Sequence, residues 1–206
     1  CKNTKLNLDE FSKKTMKNFI LIIVLIFNLQ SFAKAGDVQD FEIEGISVGN
    51  SAFKFFSKSE IDKRKNYVYK SKKYAMYGKD LENSNFDMVL IEFIDSGNYI
   101  VNSVIGKIFY KKNNFNECSK QENIILAELK EQFKNNASYT NHGVLPHEGD
   151  PSGKSKGSWH TFDLNDGSGM IYLECMDWAE DTGKWDNLRV TIFNKEFNNF
   201  LQTEAY

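Results

Sequence analysis

Proline and arginine are nearly missing from this chain of 206 residues: Pro146, Pro151, Arg64 and Arg189 are the only four. With 41% hydrophobic and 26% charged residues, the balance is that of a folded globule. It excludes collagen, long disorder and a multi-span membrane architecture. Charge of one sign is lacking too. The formal net charge is -2, which gives no electrostatic case for nucleic-acid binding. There is no internal repeat. Cysteine is rare, at three residues, and only one long apolar run occurs.

That run defines the amino end. Lys17 follows Met16, an apolar stretch extends from Phe19 to Phe27, and Ala33-Lys34-Ala35 precedes Gly36. A basic start, a short apolar segment and small residues at -3 and -1 are the order of a secretory signal. The run is shorter than the roughly 20 apolar residues that a membrane-spanning helix needs. The expectation is a signal peptide over 16–35, cut between Ala35 and Gly36. Residues 1–15 then read as an upstream extension, with Met16 as the start. The exported part is a single domain over 36–206, located in the periplasm or secreted, meeting the membrane only during export. Removing residues 1–35 takes away six lysines and two acidic residues. This leaves 20 basic and 26 acidic residues, a net charge of -6. Lysine, asparagine, isoleucine and phenylalanine are abundant, which is the codon bias of an AT-rich genome.

Two cysteines remain after the signal, Cys118 and Cys175. In an oxidising compartment they make one possible bridge. Asn116 to Asn135 reads as an amphipathic helix, with Ile125, Leu129 and Phe133 at spacing four and Cys118 on the same face. Gly169 to Trp178 reads as a strand in which Cys175 shares parity with Ile171 and Leu173. Both thiols therefore point to apolar faces that can pack together. A bridge there closes a loop of nearly sixty residues and contributes about 4 kcal/mol in the chain-entropy model.

The other elements follow from period and turn chemistry. Phe41 to Val48 is expected as a strand with a bulge at Gly45, and Ala52 to Lys65 as a helix split near Ser57. Strands are expected at Lys72 to Tyr77, Phe86 to Ile94 and Tyr99 to Tyr110, the second apolar on both parities and so covered on both faces. Residues 136–157 read as a long polar loop. Ser158 to Leu164, Gly169 to Trp178 and Leu188 to Phe193 form a meander, turned first at Asp166-Gly167. Glu196 to Leu201 closes as a short helix. The fold class is α+β: a single antiparallel sheet of six or seven strands, a long helix packed on one face, and one disulfide.

Three sets of residues invite a chemical reading. His142, His147, Glu148, Asp150 and His160 offer imidazole and carboxylate in one region, which suits a metal such as zinc, although no pair has helical i, i+4 spacing. Gly149 to Ser155 resembles a phosphate loop one residue short. Trp159, Trp178 and Trp185 lie near strand ends, where aromatic rings can line a groove for sugar or peptide. No catalytic residue is assigned and no cofactor is implied.

The opening Phe41 to Gly49, the string Ile108-Phe109-Tyr110 through Glu117-Cys118, then Met170 to Trp178 and Asn194-Lys195-Glu196-Phe197, resemble exported proteins of AT-rich marine bacteria for which no activity is known. The resemblance covers most of the mature chain and implies export. The strand–Gly-x-Ser–helix opening also resembles small outer-membrane-assembly lipoproteins, but their lipidated cysteine is lacking here. The leading expectation is a non-catalytic binding module that engages an envelope protein or peptide through a sheet edge or the Trp-bearing end. A metal-dependent envelope hydrolase using the His142–His160 region is the alternative. An inhibitor-like or immunity-like protein presenting the loop at 136–157 is a third.

Overall fold

The computed structural model describes residues 37–111, 114–147 and 149–205. The expected signal peptide, its cleavage residues Ala33, Ala35 and Gly36, the extension at 1–15, and Glu148 lie outside them. Among the described residues nine strands and three α-helices form an α+β unit. The main sheet has seven strands in the order β3-β4-β5-β9-β8-β7-β6, and β1 with β2 makes a separate small hairpin. Every pairing is antiparallel. The sheet is open, with β3 and β6 as its edges. Among the described residues no helix is long and apolar enough to cross a membrane.

The segment expected as one bulged strand, Phe41 to Val48, is instead a hairpin of β1 (Glu42–Ile43) and β2 (Ile46–Ser47). Glu44 and Gly45 are both left-handed, at φ 53° and 75°. Two consecutive positive φ angles make the tight turn that reverses an antiparallel pair. The helix expected next is split, as Ser57 suggested: a short 3-10 turn at Ala52–Lys54 is followed by α1 (Lys58–Arg64). Ser57 and Glu60 form a capping box, each side chain satisfying the other's backbone N–H.

β3 (Tyr74–Asp80), β4 (Met88–Ile94) and β5 (Val101–Tyr110) follow as a meander. Helix α2 (Phe115–Phe133) then crosses one face of the sheet. Its buried stripe is Cys118, Glu122, Leu126 and Phe133, so Ile125 and Leu129 flank the stripe and do not centre it. Phe133 packs against Phe41 at 4.7 Å and Phe162 at 5.8 Å, which ties hairpin, helix and sheet into one core. Cys118 and Cys175 are bonded, with Cα atoms 5.9 Å apart and both residues fully buried.

Residues 136–157 are not a loop. They contain β6 (Ala137–Pro146), a turn, and the start of β7 (Lys156–Leu164). β6 is an edge strand with β7 as its only described neighbour, so its side chains can stay polar: Ser138, Thr140, Asn141 and His142 are exposed. A bulge between Asn141 and Gly143 also breaks its alternation, with Gly143 at φ 75°. The expected strand count is thus reached by a different set: 41–48 leaves the main sheet and 137–146 joins it.

β8 (Gly169–Asp177), a 3-10 turn at Glu180–Thr182, β9 (Asp186–Asn194) and α3 (Lys195–Thr203) complete the chain. Asn194 caps α3 by accepting from the Phe197 N–H at 2.8 Å. Phe197 and Phe200 then pack with Tyr74 and Phe193 on the sheet face opposite α2.

Candidate functional site

Strand parity separates the residues that sequence proximity had grouped. On β7, Ser158, His160 and Phe162 point to the α2 face, opposite Cys175, Leu173 and Ile171 of β8. Trp159 and Thr161 point to the other face, opposite Glu174 and Tyr172.

His160 is therefore enclosed beneath α2. Its Nδ1 lies 2.9 Å from the Tyr139 hydroxyl, and its Nε2 lies 3.7 Å from Glu122. Ser158 donates to the same Glu122 oxygen at 2.5 Å. Burial pushes the Glu122 carboxyl above its ordinary pKa and the His160 imidazole below its own. Both shifts favour the neutral forms. This is a buried, hydrogen-bonded set beside the disulfide, since Ser158 is the register partner of Cys175.

His142 and His147 lie on the other side. His142 occupies the β6 bulge, and its Nε2 is 3.1 Å from the Thr161 hydroxyl. The ring of His147 contacts Trp178 at 4.4 Å and Trp159 at 6.1 Å. Together with Leu145, Pro146 and Tyr172 they line a cleft of about 350 Å³. His142, His147 and His160 of the expected metal set are thus not brought together: the sheet lies between His160 and the other two histidines. Among the described residues no group of three or more His, Cys, Asp or Glu is placed to hold a metal ion.

The phosphate-loop resemblance at Gly149 to Ser155 is also resolved. Asp150 is buried and accepts from the Ser152 N–H, the Ser155 N–H and the Ser155 hydroxyl at 2.9, 2.9 and 2.6 Å. These donors hold its carboxyl well below the usual carboxylate range. Two of the amides that would meet a phosphate already serve the chain's own carboxylate. The motif is a self-satisfied turn.

Trp159 and Trp178 meet through His147, and Lys184 sits over the Trp178 ring at 3.8 Å. Trp185 lines neither this cleft nor the depression beside Trp178, and it is 63% exposed. The three tryptophans are not one surface.

No protein-family model, curated protein or solved structure matches this chain. Its function must be argued from the cleft itself.

The cleft has one hydroxyl–imidazole contact, Thr161 with His142. A nucleophile of that kind needs a base held by a third group. Among the described residues no carboxylate hydrogen-bonds His142. What remains is an aromatic and aliphatic wall with two imidazoles at its rim. It adjoins an edge strand on which Val144 and Leu145 are 56% and 48% exposed. That arrangement can hold an apolar group and orient it by a few polar contacts.

The signal for this cleft was present in the sequence as alternation. Trp159 and Thr161 share parity, and both oppose Tyr172 and Glu174 once the Asp166-Gly167 hairpin is drawn. Leu145 and Pro146 escape sequence reasoning because the polar residues around them have the composition of a loop.

Proposed function

We propose that this protein is an exported, non-catalytic binding module of the bacterial envelope. It takes an apolar part of a protein or peptide partner into the cleft between Trp159, Tyr172 and Leu145. The observation that carries this reading is the convergence of His142, His147, Trp159 and Tyr172 on one open cleft, next to an edge strand with exposed apolar residues. The disulfide supports an oxidising destination, because such bonds persist outside the reducing cytosol. The resemblance to exported proteins points the same way.

The hydrolase alternative depended on His160 joining His142 and His147. With His160 beneath α2, that alternative has lost a member of its ligand set.

The test is capture from a solubilised envelope fraction by the immobilised protein and by its Trp159→Ala variant. The expected result is a partner retained by the former and lost by the latter. Identical captures from both would remove the cleft from the function.

A further inference from the structure

β6 is the open edge of the main sheet beside the cleft, and it contains no lysine, arginine, aspartate or glutamate. Charged side chains are a usual guard of an edge, and β6 lacks them. Its outward hydrogen-bonding groups follow from the register. The His147 N–H donates to the Ser155 carbonyl at 2.9 Å, so that pair is a bonded one. Bonded and non-bonded pairs alternate in an antiparallel ladder. Leu145 with Gly157 is then bonded, and Val144 with Ser158 is not. The Val144 N–H and C=O therefore point away from β7, to the side on which no described strand lies. The cleft meets the same edge. Its β6 wall is His142 and Leu145, and between them on that face stands Gly143, opposite Trp159. A Cβ built on Gly143 would meet no atom within 4 Å beyond its chain neighbours. The wall has a notch there, on the outer side of Trp159.

We propose that β6 takes up an extended peptide as an eighth strand of the main sheet, bonded antiparallel to Val144 and laying an aromatic side chain across Gly143 onto Trp159. This deepens the reading given above and rests on it.

The backbone edge selects the form of the ligand. An extended chain answers an outward N–H and C=O on one strand residue with a C=O and N–H of its own. The glycine selects the side chain. Neighbouring strands lie about 4.8 Å apart, so the residue facing Gly143 is about 10 Å from Trp159, backbone to backbone. An aromatic ring closes that gap with Trp159 and covers the glycine, as cross-strand aromatics do. On the other face Val144, 56% exposed, gains a cross-strand neighbour at the same time. A second copy of β6 fits less well. Paired about Val144, it sets Pro146, which has no N–H, against the bulge at His142. Its one aromatic residue, Tyr139, faces α2 beside His160 and Phe162 and not the cleft. The occupant is therefore a segment of another protein.

Calorimetric titration of the protein with four probes tests the proposal. The parent probe is acetyl-Ser-Thr-Thr-Phe-Thr-Thr-Ser amide. The others replace Phe by Ala, N-methylate the threonine before Phe, or N-methylate Phe itself. In the proposed register that threonine bonds Val144, whereas the N–H of Phe points away from β6. The first methyl group is expected to weaken binding at least about fivefold and the second less than about twofold. Replacing Phe by Ala is expected to weaken binding about tenfold, and Trp159→Ala to reduce that difference to less than about twofold. Equal effects of the two methyl groups, with the Phe preference and its dependence on Trp159 intact, would overturn strand addition and leave the cleft reading standing. No binding by any probe would overturn strand addition, while envelope capture with Trp159→Ala still decides the cleft reading. A dimer in sedimentation equilibrium that Val144→Glu converts to a monomer would put a second copy on the edge and overturn the proposal too.

Discussion

The two faces of the main sheet are built on opposite principles. The face under α2 is largely apolar, and the polar side chains beneath the helix are enclosed and paired: Ser158 and His160 with Glu122, and His160 with Tyr139. On the far face α3 lays Phe197 and Phe200 against Tyr74 and Phe193. Beyond that aromatic cluster it carries Lys107, Arg189, Glu174 and Trp159 in one row. One face stores stability and the other leaves chemistry open to a partner. The same contrast holds for the edges. β3 is partly covered by the Asn66 segment, which exchanges backbone hydrogen bonds with Met76 at 2.9 and 2.8 Å. β6 has no described partner on its outer side, and its ten residues include no charged group to repel one.

The strongest way to break this comparison is to cut the staple. Replacing Cys118 and Cys175 together by alanine is expected to cost about 4 kcal/mol, from the closure entropy of the loop between them. Urea unfolding monitored by circular dichroism measures it. A loss below about 1 kcal/mol would mean that the α2 face does not depend on its covalent tie. Next in size is the closed part of the far face. Phe200→Ala is expected to cost roughly 3 kcal/mol, because a fully buried ring leaves a cavity among Tyr69, Tyr74 and Phe197. A cost near zero would show that α3 is an appendage.

A subtler test uses the enclosed acid. Glu122 has its folded pKa raised above 4.5, so the folded state holds the proton more tightly than the unfolded state. Stability from this group is full below 4.5 and is lost as pH rises through its folded pKa. His160 works in the opposite sense. Its folded pKa is lowered below 6.5, so its contribution is full above 6.5 and lost as pH falls through the folded pKa. Glu122→Gln is expected to remove the decline with rising pH while keeping an acceptor for Ser158. Chemical denaturation at several pH values reads this directly. An unchanged slope would show that Glu122 is not the group responsible.

Most of the α2 face was legible in the sequence, and most of the open face was not. Cys118, Phe133, Ile171, Leu173 and Cys175 announce themselves because burial on one side forces apolar residues into a helix or strand period. The disulfide follows from two such periods, which bring both thiols to apolar faces that pack together. Glu122 was hidden because a glutamate within an apolar stripe reads as a solvent-facing residue until its partners are seen. β6 was hidden for a different reason. An edge strand has one neighbour, needs little apolar surface, and here is interrupted by the bulge at Gly143, so Ser138 to His142 look like loop. The histidine set was grouped by closeness along the chain. In a strand, closeness by one residue means opposite faces, and that alone parts Trp159 from His160.

The smallest expected effect on stability carries the most weight for function. Trp159 is half-buried on β7, facing away from α2, and its ring lies 6.1 Å from that of His147. Trp159→Ala is therefore expected to change unfolding free energy by about 1 kcal/mol or less, while abolishing partner retention. Thermal melts run beside the binding assay separate the two quantities. Should the variant lose several kcal/mol, Trp159 would belong with Phe197 and Phe200 as a packing residue. The division between a storing face and an offering face would then fail at the residue meant to define it. Should stability hold and binding go, the far face will have been shown to spend little of the fold's stability on the group that makes contact. That is the arrangement expected where a ligand, and not the chain itself, completes the packing.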